Sequence, residues 1–463
     1  MPTILRAVTD NRGSATRRGA ERCGADDPIG LSVGAVKLED MSAALDHVAD
    51  LAAFVIASPS SFHAAAEGAR RLAAAGFVEQ DETADWDSSP GGHYLVRDGA
   101  LVAWRLPADP DPRTPYRIVG AHTDSPGFAV KPKPDLGGFG YSQLGVEVYG
   151  GPLLNSWLDR ELGLAGRVVL ADGRTELVRT DAIMRIPQLA IHLDRGVNDN
   201  GLKLDKQQHT APVWGVGRPD RRLVDHLGAL VGVRGDQIDG LELFAYDATA
   251  PVVFGPDSEF LAAGRLDNLT GVHAGLTALM RSSGGDRIEV LAAFDHEELG
   301  SASRSGASGP LLADVLARIA GARGVGPDHQ HQALARSVCL SVDAGHAIHP
   351  NYPQRHDPAN QPRLNGGPLL KINTNQRYAT DAAGMALWRR ACRQAGVPTQ
   401  EFVSNNALPC GSTIGPLTAT RLGIRTVDVG QPLLSMHSAR ELAGTADALA
   451  LSRAVEAFLA VEG

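Results

Sequence analysis

The sequence has no hydrophobic stretch long enough to span a membrane. A transmembrane helix needs about 18 or more consecutive apolar residues, and no run in the 463 residues approaches that length. The first residues also lack the apolar segment of a secretory signal. We therefore expect a cytoplasmic protein that has no membrane partner.

Cysteine is scarce as well. The chain has 4 cysteines, which are scattered and form no Cys-x-x-Cys pair: Cys23, Cys339, Cys392 and Cys410. Disulfide-stabilised secreted domains use many more cysteines in a short chain. We expect reduced thiols, which agrees with a cytoplasmic location.

Positive charge is not in excess. Asp and Glu number 53 against 44 Lys and Arg, which gives a formal net charge of -9. This balance argues against a nucleic-acid partner. Hydrophobic residues make up 43% of the chain and charged residues 21%, as in ordinary globular proteins. A chain of 463 residues is too long for one core, so two or more domains are predicted.

Residues 1–40 differ from the rest of the chain. They are polar, basic in places and aperiodic, for example over 11–19, which predicts a disordered N-terminal extension. Met41 lies just before the first helical pattern, so a misassigned start site and a functional tail are both open. That pattern consists of apolar residues at helical spacing, namely Leu45, Val48, Leu51, Phe54 and Val55.

Two adjacent carboxylates, Glu297 and Glu298, are the centre of the chemistry that the sequence predicts. They follow an apolar run over 288–294 that is typical of a buried strand. Bare neighbouring carboxylates repel each other, and a bound dication removes that conflict. One Glu could ligate a metal while the other reaches the attacking water. Two solvated acids at a helix start are the alternative.

A second candidate site follows the strand predicted at 116–122. His122 ends that strand, where open α/β sheets keep their ligands. Asp124 stands two residues later and is suited to hold the imidazole tautomer. A His-x-Asp pair alone is weak evidence, and an incidental pair remains open.

Three further residues stand at comparable places. Asp267 precedes a predicted helix over 269–280 and is either an N-cap or a carboxylate shared between two metals. Asp343 ends the apolar strand predicted at 337–342, and His437 follows the strand at 426–429. Since the carboxyl ends of parallel strands meet at one sheet edge, these ligands are predicted to converge with His122 and Glu298. Sharing one carboxylate gives each of two metals three protein ligands and open positions for water.

Residues 128–262 change character. Short β-like runs alternate with Gly and Pro, as at 146–149 and 166–170. We predict a β-rich insertion between two parts of an α/β domain, 41–127 and 263–463. His192 lies here in an apolar run, where a core histidine is the simpler interpretation.

Together the motifs resemble the M18 metallopeptidases, the aspartyl aminopeptidases. The resemblance extends from about residue 44 to the C-terminus and rests on six motifs in the family's order: His122-Thr123-Asp124-Ser125-Pro126, Arg265-Leu266-Asp267-Asn268, Phe294 to Ser301, Asp343-Ala344-Gly345-His346-Ala347, Cys410-Gly411-Ser412-Thr413 and Met436-His437-Ser438-Ala439-Arg440-Glu441. Residues 1–40 fall outside it.

The resemblance implies an α/β fold, with a zinc-peptidase-type three-layer catalytic domain and an inserted β-rich dimerisation domain. It also implies a homododecamer that releases N-terminal residues, preferably Asp or Glu, from peptide substrates, with two Zn²⁺ per subunit.

Carried over position by position, the resemblance implies a role for each site residue. His122, Asp267 and Asp343 would hold one metal, and Asp267, Glu298 and His437 the other. Glu297 would be the general base, and Asp124 would steady His122. Contacts to substrate are implied for His346, Lys371 and Tyr378, and for His192 from a neighbouring subunit.

Lys371 can be read in two ways. It stands in an apolar strand at 369–373 and is either an exposed edge residue or the cation that pairs with an acidic substrate side chain. The second role needs a cation placed away from the metals, because the metal ligands themselves are acidic.

Three other functions remain open. They are a dinuclear aminopeptidase of broader or neutral specificity, an amidohydrolase acting on small acylated amino acids, and a shell-forming protein without activity. The presence of all five ligands and the base argues against the last.

Overall fold

The computed structural model describes residues 38–218 and 220–461, with the backbone alone at 38–40. The predicted extension at 1–40 lies almost entirely outside the described residues. Helix α1 begins at Leu38, three residues before the start that the sequence predicted for the catalytic part.

Helices account for much of the described chain. They are α1 Leu38–Ala57, α2 Ser61–Ala74, α3 Val197–Asn200, α4 Leu223–Val231, α5 Leu266–Arg281, α6 Leu311–Ala322, α7 Pro327–Ala335, α8 Ala382–Ala395, α9 Ile414–Leu422 and α10 Thr445–Ala460. Short 3-10 turns lie at Leu154–Trp157, Gly235–Gln237, Glu297–Leu299 and Pro353–Arg355.

The strands fall into three sheets. The first half of them are β1 Val78–Glu79, β2 Gly91–Arg97, β3 Ala100–Leu106, β4 Tyr116–His122, β5 Gly127–Gly138, β6 Tyr141–Tyr149, β7 Leu162–Leu170, β8 Thr175–Arg179, β9 Val213–Val216 and β10 Ile238–Asp247. The others are β11 Val252–Phe254, β12 Phe260–Ala263, β13 Ile288–Phe294, β14 Val338–Val342, β15 Gly345–His346, β16 Leu369–Ile372, β17 Gln400–Val403, β18 Arg425–Gly430, β19 Pro432–Leu434 and β20 Glu441–Gly444.

The main sheet has the order β1-β2-β3-β13-β4-β14-β18-β16-β17. Its central strands β13, β4, β14 and β18 are parallel, so their carboxyl ends lie at one edge. The apolar run at 288–294 is buried throughout as β13, which confirms the predicted strand.

Successive residues of the central strands face opposite layers of helices. In β4, Val119 packs in a core with α1, α2, α5, α8 and α10, whereas Ile118 packs in a second core with α6, α7 and α9. Helices thus cover both faces of the sheet, and the predicted three-layer α/β fold is confirmed. Alternation of side chains along a strand is the physical cause.

A separate sheet is formed within the predicted insertion, in the order β8-β7-β10-β5-β6-β9. Its own core includes Phe128, Trp157, Leu164, Val168 and Leu243. Strand β10 ends at Asp247, and the next two strands of the predicted insertion, β11 and β12, belong to a third sheet of order β11-β12-β20-β19-β15. A local sequence pattern could not predict that β12 pairs with β20, because the two strands lie far apart in the chain. The division into domains remains a prediction.

No helix in the described ranges combines the length and the apolarity that crossing a membrane would require. Cys339, Cys392 and Cys410 are free thiols, and the first two are buried. Burial raises the pKa of Cys339 beyond its usual range, to an extent that keeps it protonated, as expected for a core thiol.

Candidate active site

The carboxyl edge of the parallel strands gathers the predicted ligands. His122 is the last residue of β4, and Asp343 directly follows β14. Glu297 and Glu298 follow β13 in a 3-10 turn that lies between left-handed backbone at His296 and Gly300. These sharp turns let the two carboxylates stand beside the ends of neighbouring strands.

Asp267 lies between the two histidines. Its Oδ1 is 3.3 Å from His122 Nε2, and its Oδ2 is 3.5 Å from His437 Nε2. The backbone at Asp267 is not helical, with φ -81 and ψ 104, and its side chain caps no helix. Its N–H donates to Glu441 Oε2 at 2.9 Å. The carboxylate is therefore free to face two ways.

The predicted ligand sets form compact groups. Candidate ligand atoms lie within 4.8 Å of one another in the set His122, Asp267, Asp343 and in the set Asp267, Glu298, His437. A third such group joins His122 to Glu297 and Glu298. All five predicted ligands thus come together with Glu297, although their role as ligands remains a prediction.

Both histidines are oriented by acceptors behind them. His122 Nδ1 lies 3.1 Å from the Asp124 carbonyl, and His437 Nδ1 lies 3.0 Å from the Gly151 carbonyl. A carbonyl only accepts, so each Nδ1 carries the proton and donates it. Each Nε2 then faces the carboxylates, where, once deprotonated, it would offer its lone pair to a metal.

Burial is the largest cause of the pKa shifts of the two glutamates, and charge repulsion adds to it. Burial raises the pKa of Glu297 to about 8; attraction to His122 opposes the rise, and Asp343 and Asp267 add to it. Burial, with repulsion from Asp267, raises the pKa of Glu298 well above its usual range. Burial alone would lower the pKa of His437, but its hydrogen bond to Asp267 and the charge of Glu298 raise it to about 10. Such a cluster of acids attracts positive charge.

The donor set fits a divalent metal. Asp267 Oδ1 and Glu298 Oε1 are buried without a hydrogen-bond partner among the described residues, and an unsatisfied buried carboxylate oxygen is costly. Imidazole nitrogen and carboxylate oxygen are ligands that Zn²⁺ accepts. Cations held by these groups would satisfy both oxygens and relieve the repulsion.

Asp124 is hydrogen-bonded more extensively than the sequence predicted. Its Oδ1 is 3.4 Å from His122 Nδ1, so the nearer contact to that ring is its own carbonyl. The carboxylate accepts from the N–H groups of Glu297 and Glu298 at 3.0 and 3.1 Å. Asp124 thereby holds the backbone of both glutamates as well as the histidine.

A cavity of about 700 Å³ opens beside the cluster. Its lining includes the predicted substrate residues His346, Lys371 and Tyr378. His192 is not in its lining and lies exposed in the loop after β8. The structure therefore brings three of the four predicted substrate contacts to the cluster within one chain.

Lys371 is not an edge residue. Strand β16 lies between β18 and β17, and Lys371 is 1% exposed. Its Nζ donates to Asp343 Oδ2 at 2.9 Å, so the ammonium lies beside a predicted ligand, whereas the sequence interpretation needed it away from the metals. Burial forces this pairing, because an unpaired buried ammonium is strongly disfavoured.

Three residues near the cluster were not predicted. Glu441 accepts from the N–H groups of both Asp267 and His437, Tyr149 donates to Asp124, and the exposed Arg377 lines the cavity. Glu441 ends one of the six motifs and Arg377 precedes Tyr378, so proximity in sequence was an available signal. Tyr149 had none, because it belongs to the inserted sheet.

Comparison with known proteins gives consistent matches. The family model described as aminopeptidase I zinc metalloprotease (M18) matches residues 54–459. The probable M18 family aminopeptidase 2 of Streptomyces avermitilis is 55% identical over 420 residues, which cover 89% of this chain and 97% of that protein.

Solved structures agree with these matches. The cryo-EM structure of the Ape4 and Nbr1 complex matches with a TM-score of 0.87 and 35% identity, covering 90% of this chain and 86% of that one. The S. cerevisiae mApe1 dodecamer matches with a TM-score of 0.79 and 27% identity, covering 91% and 97%. Because one family model spans residues 54–459 and includes the whole ligand cluster, the chain belongs to the M18 family of zinc metallo-aminopeptidases.

Proposed function

We propose that the protein is a dinuclear zinc aminopeptidase with a preference for N-terminal Asp or Glu. The observation that carries the dinuclear proposal is the position of Asp267, whose two oxygens face His122 and His437 separately. A carboxylate in that position can serve two cations at once. His122 and Asp343 would complete one site, and Glu298 and His437 the other. Bound zinc supplies a Lewis acid that polarises a carbonyl and makes a nucleophile of water near neutral pH.

Glu297 is proposed as the general base. It lines the cavity beside the cluster, and neither proposed ligand set requires it. Its backbone N–H donates to Asp124, which fixes the position of the backbone from which the Glu297 carboxylate extends. From there it takes a proton from water and returns it to the leaving amine.

An acidic preference is supported by the cations of the cavity. The ligands contribute several negative charges, so an acidic substrate side chain needs positive charge nearby. Lys371 supplies one ammonium but shares it with Asp343. Arg377 is exposed in the same lining. Its Nε donates to the Cys410 carbonyl at 3.3 Å, and none of its described contacts is an ion pair. A guanidinium suits a carboxylate well.

A larger assembly is proposed from the family and from the surface of the insertion. The mApe1 structure among the matches is a dodecamer. The loop after β8 exposes large apolar side chains that water would not favour, namely Leu189, Ile191, Leu193 and Leu202. We propose that residues 128–262 carry a homo-oligomer interface, and that His192 reaches the cavity of a neighbouring subunit.

The free cysteines support the proposed cytoplasmic location, which fractionation of the host cell tests.

The metal proposal is tested by titrating the chelator-treated protein with Zn²⁺ and measuring bound metal by mass spectrometry. The expected result is two equivalents per chain. Asp267→Asn is expected to weaken both sites, and His437→Gln only one. One equivalent in the unmodified protein would contradict the dinuclear site.

The activity is tested with a panel of fluorogenic aminoacyl substrates on the zinc-loaded protein. Faster release of Asp and Glu than of Leu is expected. Equal rates would favour a broad aminopeptidase, and release only from acylated amino acids would favour the amidohydrolase. Failure to cleave any substrate would leave a shell-forming protein without activity.

A further inference from the structure

The end of strand β6 is in contact with the cluster from the side of the inserted sheet. Three successive residues, Tyr149, Gly150 and Gly151, each meet a different part of it. We call them the Tyr149–Gly151 segment. Neither the family motifs nor the proposed mechanism gives this segment a role.

Tyr149 contacts the cluster through Asp124. Its hydroxyl donates to Asp124 Oδ2 at 2.8 Å, and the same carboxylate accepts from the N–H groups of Glu297 and Glu298. The Tyr149 ring packs edge-on against Phe244, with centroids 5.1 Å apart. A rigid phenol thus completes the hydrogen bonding of the carboxylate that holds both glutamates.

Gly150 lies against Glu298 itself. A Cβ at this position would be 3.1 Å from Glu298 Cβ and 3.3 Å from its carbonyl oxygen. The backbone also has φ +66, where glycine is favoured. A Cβ at Gly150 would therefore require Glu298 to shift by a few tenths of an ångström.

Gly151 orients the His437 ring. Its carbonyl accepts from His437 Nδ1 at 3.0 Å, which leaves Nε2 facing Asp267 and Glu298 at 3.5 Å each. Hydrogen bonds behind a ligand of this kind orient it and strengthen metal binding.

We propose that the Tyr149–Gly151 segment positions Glu297, Glu298 and His437. Tyr149 is then a positioning residue for the reaction, and it acts through its hydroxyl. The inference rests on the proposed function. The segment would hold the proposed general base, Glu297, in place. It would also hold the ligands of one of the two zinc sites, since Glu298 and His437 belong to the same proposed set. The nearest neighbours of a Cβ at Gly150 or Gly151 would belong to that set and to Pro126.

The experiment compares Tyr149→Phe with Tyr141→Phe in the zinc-loaded protein. Tyr141 begins the same strand and is 50% exposed, so it is a matched control. Tyr149→Phe is expected to lower kcat roughly tenfold with little change in KM, and to weaken the affinity for one of two zinc ions roughly tenfold. Tyr141→Phe should change neither.

A second pair tests the contact of Gly150. Gly150→Ala is compared with Gly140→Ala, because Gly140 has φ +85 but a Cβ added there would meet no described atom within 4 Å. Both variants carry the same kind of backbone strain, so a loss of zinc affinity confined to Gly150→Ala isolates the contact with Glu298. This pair also decides the matter if Tyr149→Phe fails to fold.

The inference is overturned if Tyr149→Phe and Gly150→Ala both stay within about twofold of their controls in kcat and in zinc affinity. Zinc affinity is measured without any substrate, so it is informative even if the peptidase activity is refuted. An unmodified protein that binds two zinc ions and cleaves substrates, with unaffected variants, refutes this inference alone. One zinc ion in the unmodified protein refutes the proposed function instead.

Discussion

The ammonium of Lys371 illustrates how burial limits what a single charge can do. With 1% of its side chain exposed, it must keep a counter-charge, and Asp343 provides it from the end of β14. A substrate carboxylate would compete with Asp343 for the same group. Arg377 has no such commitment among its described contacts, so we expect the two cations to contribute differently to specificity.

Arg377→Met is expected to lower kcat/KM about tenfold on Asp-terminated substrates and leave Leu-terminated ones almost unchanged. Lys371→Met should lower kcat/KM on both, with a further roughly tenfold loss on Asp, because Asp343 also loses its partner. The measurement is a side-by-side assay of the two substrates. Arg355→Met is the control, since Arg355 lines a neighbouring cavity. Equal losses on both substrates for each variant would refute acid recognition.

Glu297→Gln keeps size and hydrogen bonding but cannot accept a proton. Turnover is expected to fall by roughly 10²-fold or more while bound zinc stays nearly unchanged. Glu298→Gln is the matched comparison, and it should lose metal as well as turnover. Near-normal activity in a zinc-loaded Glu297→Gln protein would rule out the base assignment. Turnover and metal content are measured on the same samples.

The candidate ligands could be predicted from the sequence where each of them stands at the end of an apolar strand. His122, Glu298 and Asp343 stand at such ends, so their convergence was predictable from parallel topology. The partner of Lys371 and the hydroxyl of Tyr149 were not predictable. Both depend on contacts between elements far apart in the chain, and a local pattern holds no information about those contacts.

At the scale of elements, helix α1 is joined to α5 by a group of polar side chains. The His47 and His273 rings meet edge-on at 4.9 Å, and His273 Nε2 lies 2.7 Å from Asp50 Oδ2. Burial, with the nearby charge of His273, lowers the pKa of His47 to about 4. Burial also lowers the pKa of His273, although Asp50 opposes it.

This arrangement predicts that the folded protein becomes less stable as the pH falls. The folded protein keeps His47 neutral down to about pH 4, whereas the unfolded chain takes up a proton near 6.5. The free energy of unfolding is therefore intact above 6.5 and falls as the pH drops towards 4, by about 3 kcal/mol from this group.

His47→Leu should flatten that fall relative to the unmodified protein, and His331→Leu, at an exposed histidine, should not. The measurement is chemical denaturation of each protein between pH 7 and 4.5. The metal cluster titrates equally in all three proteins, so its contribution cancels in the difference. Parallel curves for His47→Leu and the unmodified protein would contradict the prediction.

The limits of sequence reading are also visible in the elements. The buried strand β13 was predicted to the residue, because a run of this length that is apolar except for Glu289 is typical of a buried strand. The last part of the predicted insertion contains β12, which pairs with β20 near the C-terminus, a contact that the sequence did not predict. Strand pairing over that separation leaves no trace in a local pattern.

At the scale of the whole molecule, the apolar loop after β8 is the surface that supports the proposed assembly. Leu193 is 74% exposed and Leu189 63%. Isolated apolar side chains are common on surfaces, but neighbouring ones mark contact sites. The same loop holds His192, which is absent from the lining of the cavity in its own chain.

Light scattering after gel filtration is expected to give an assembly well above a dimer at micromolar concentration. Leu189→Asp and Leu193→Asp together should shift it towards smaller species, because a buried charge opposes association. Val78→Asp, at an exposed residue outside the insertion, is the control. A monomer at micromolar concentration would refute both the assembly and the proposed role of His192.

The course of strands β5 and β6 limits how the protein can be shortened. β5 begins at Gly127, just after the turn that follows His122, and β6 returns at Tyr149 to meet Asp124. An engineer who joined the chain across the insertion to obtain a minimal enzyme would remove the Tyr149–Gly151 segment. Such a truncated protein could keep every proposed metal ligand and still lose the hydrogen bonds that aim them. A shorter catalyst would have to retain this hairpin.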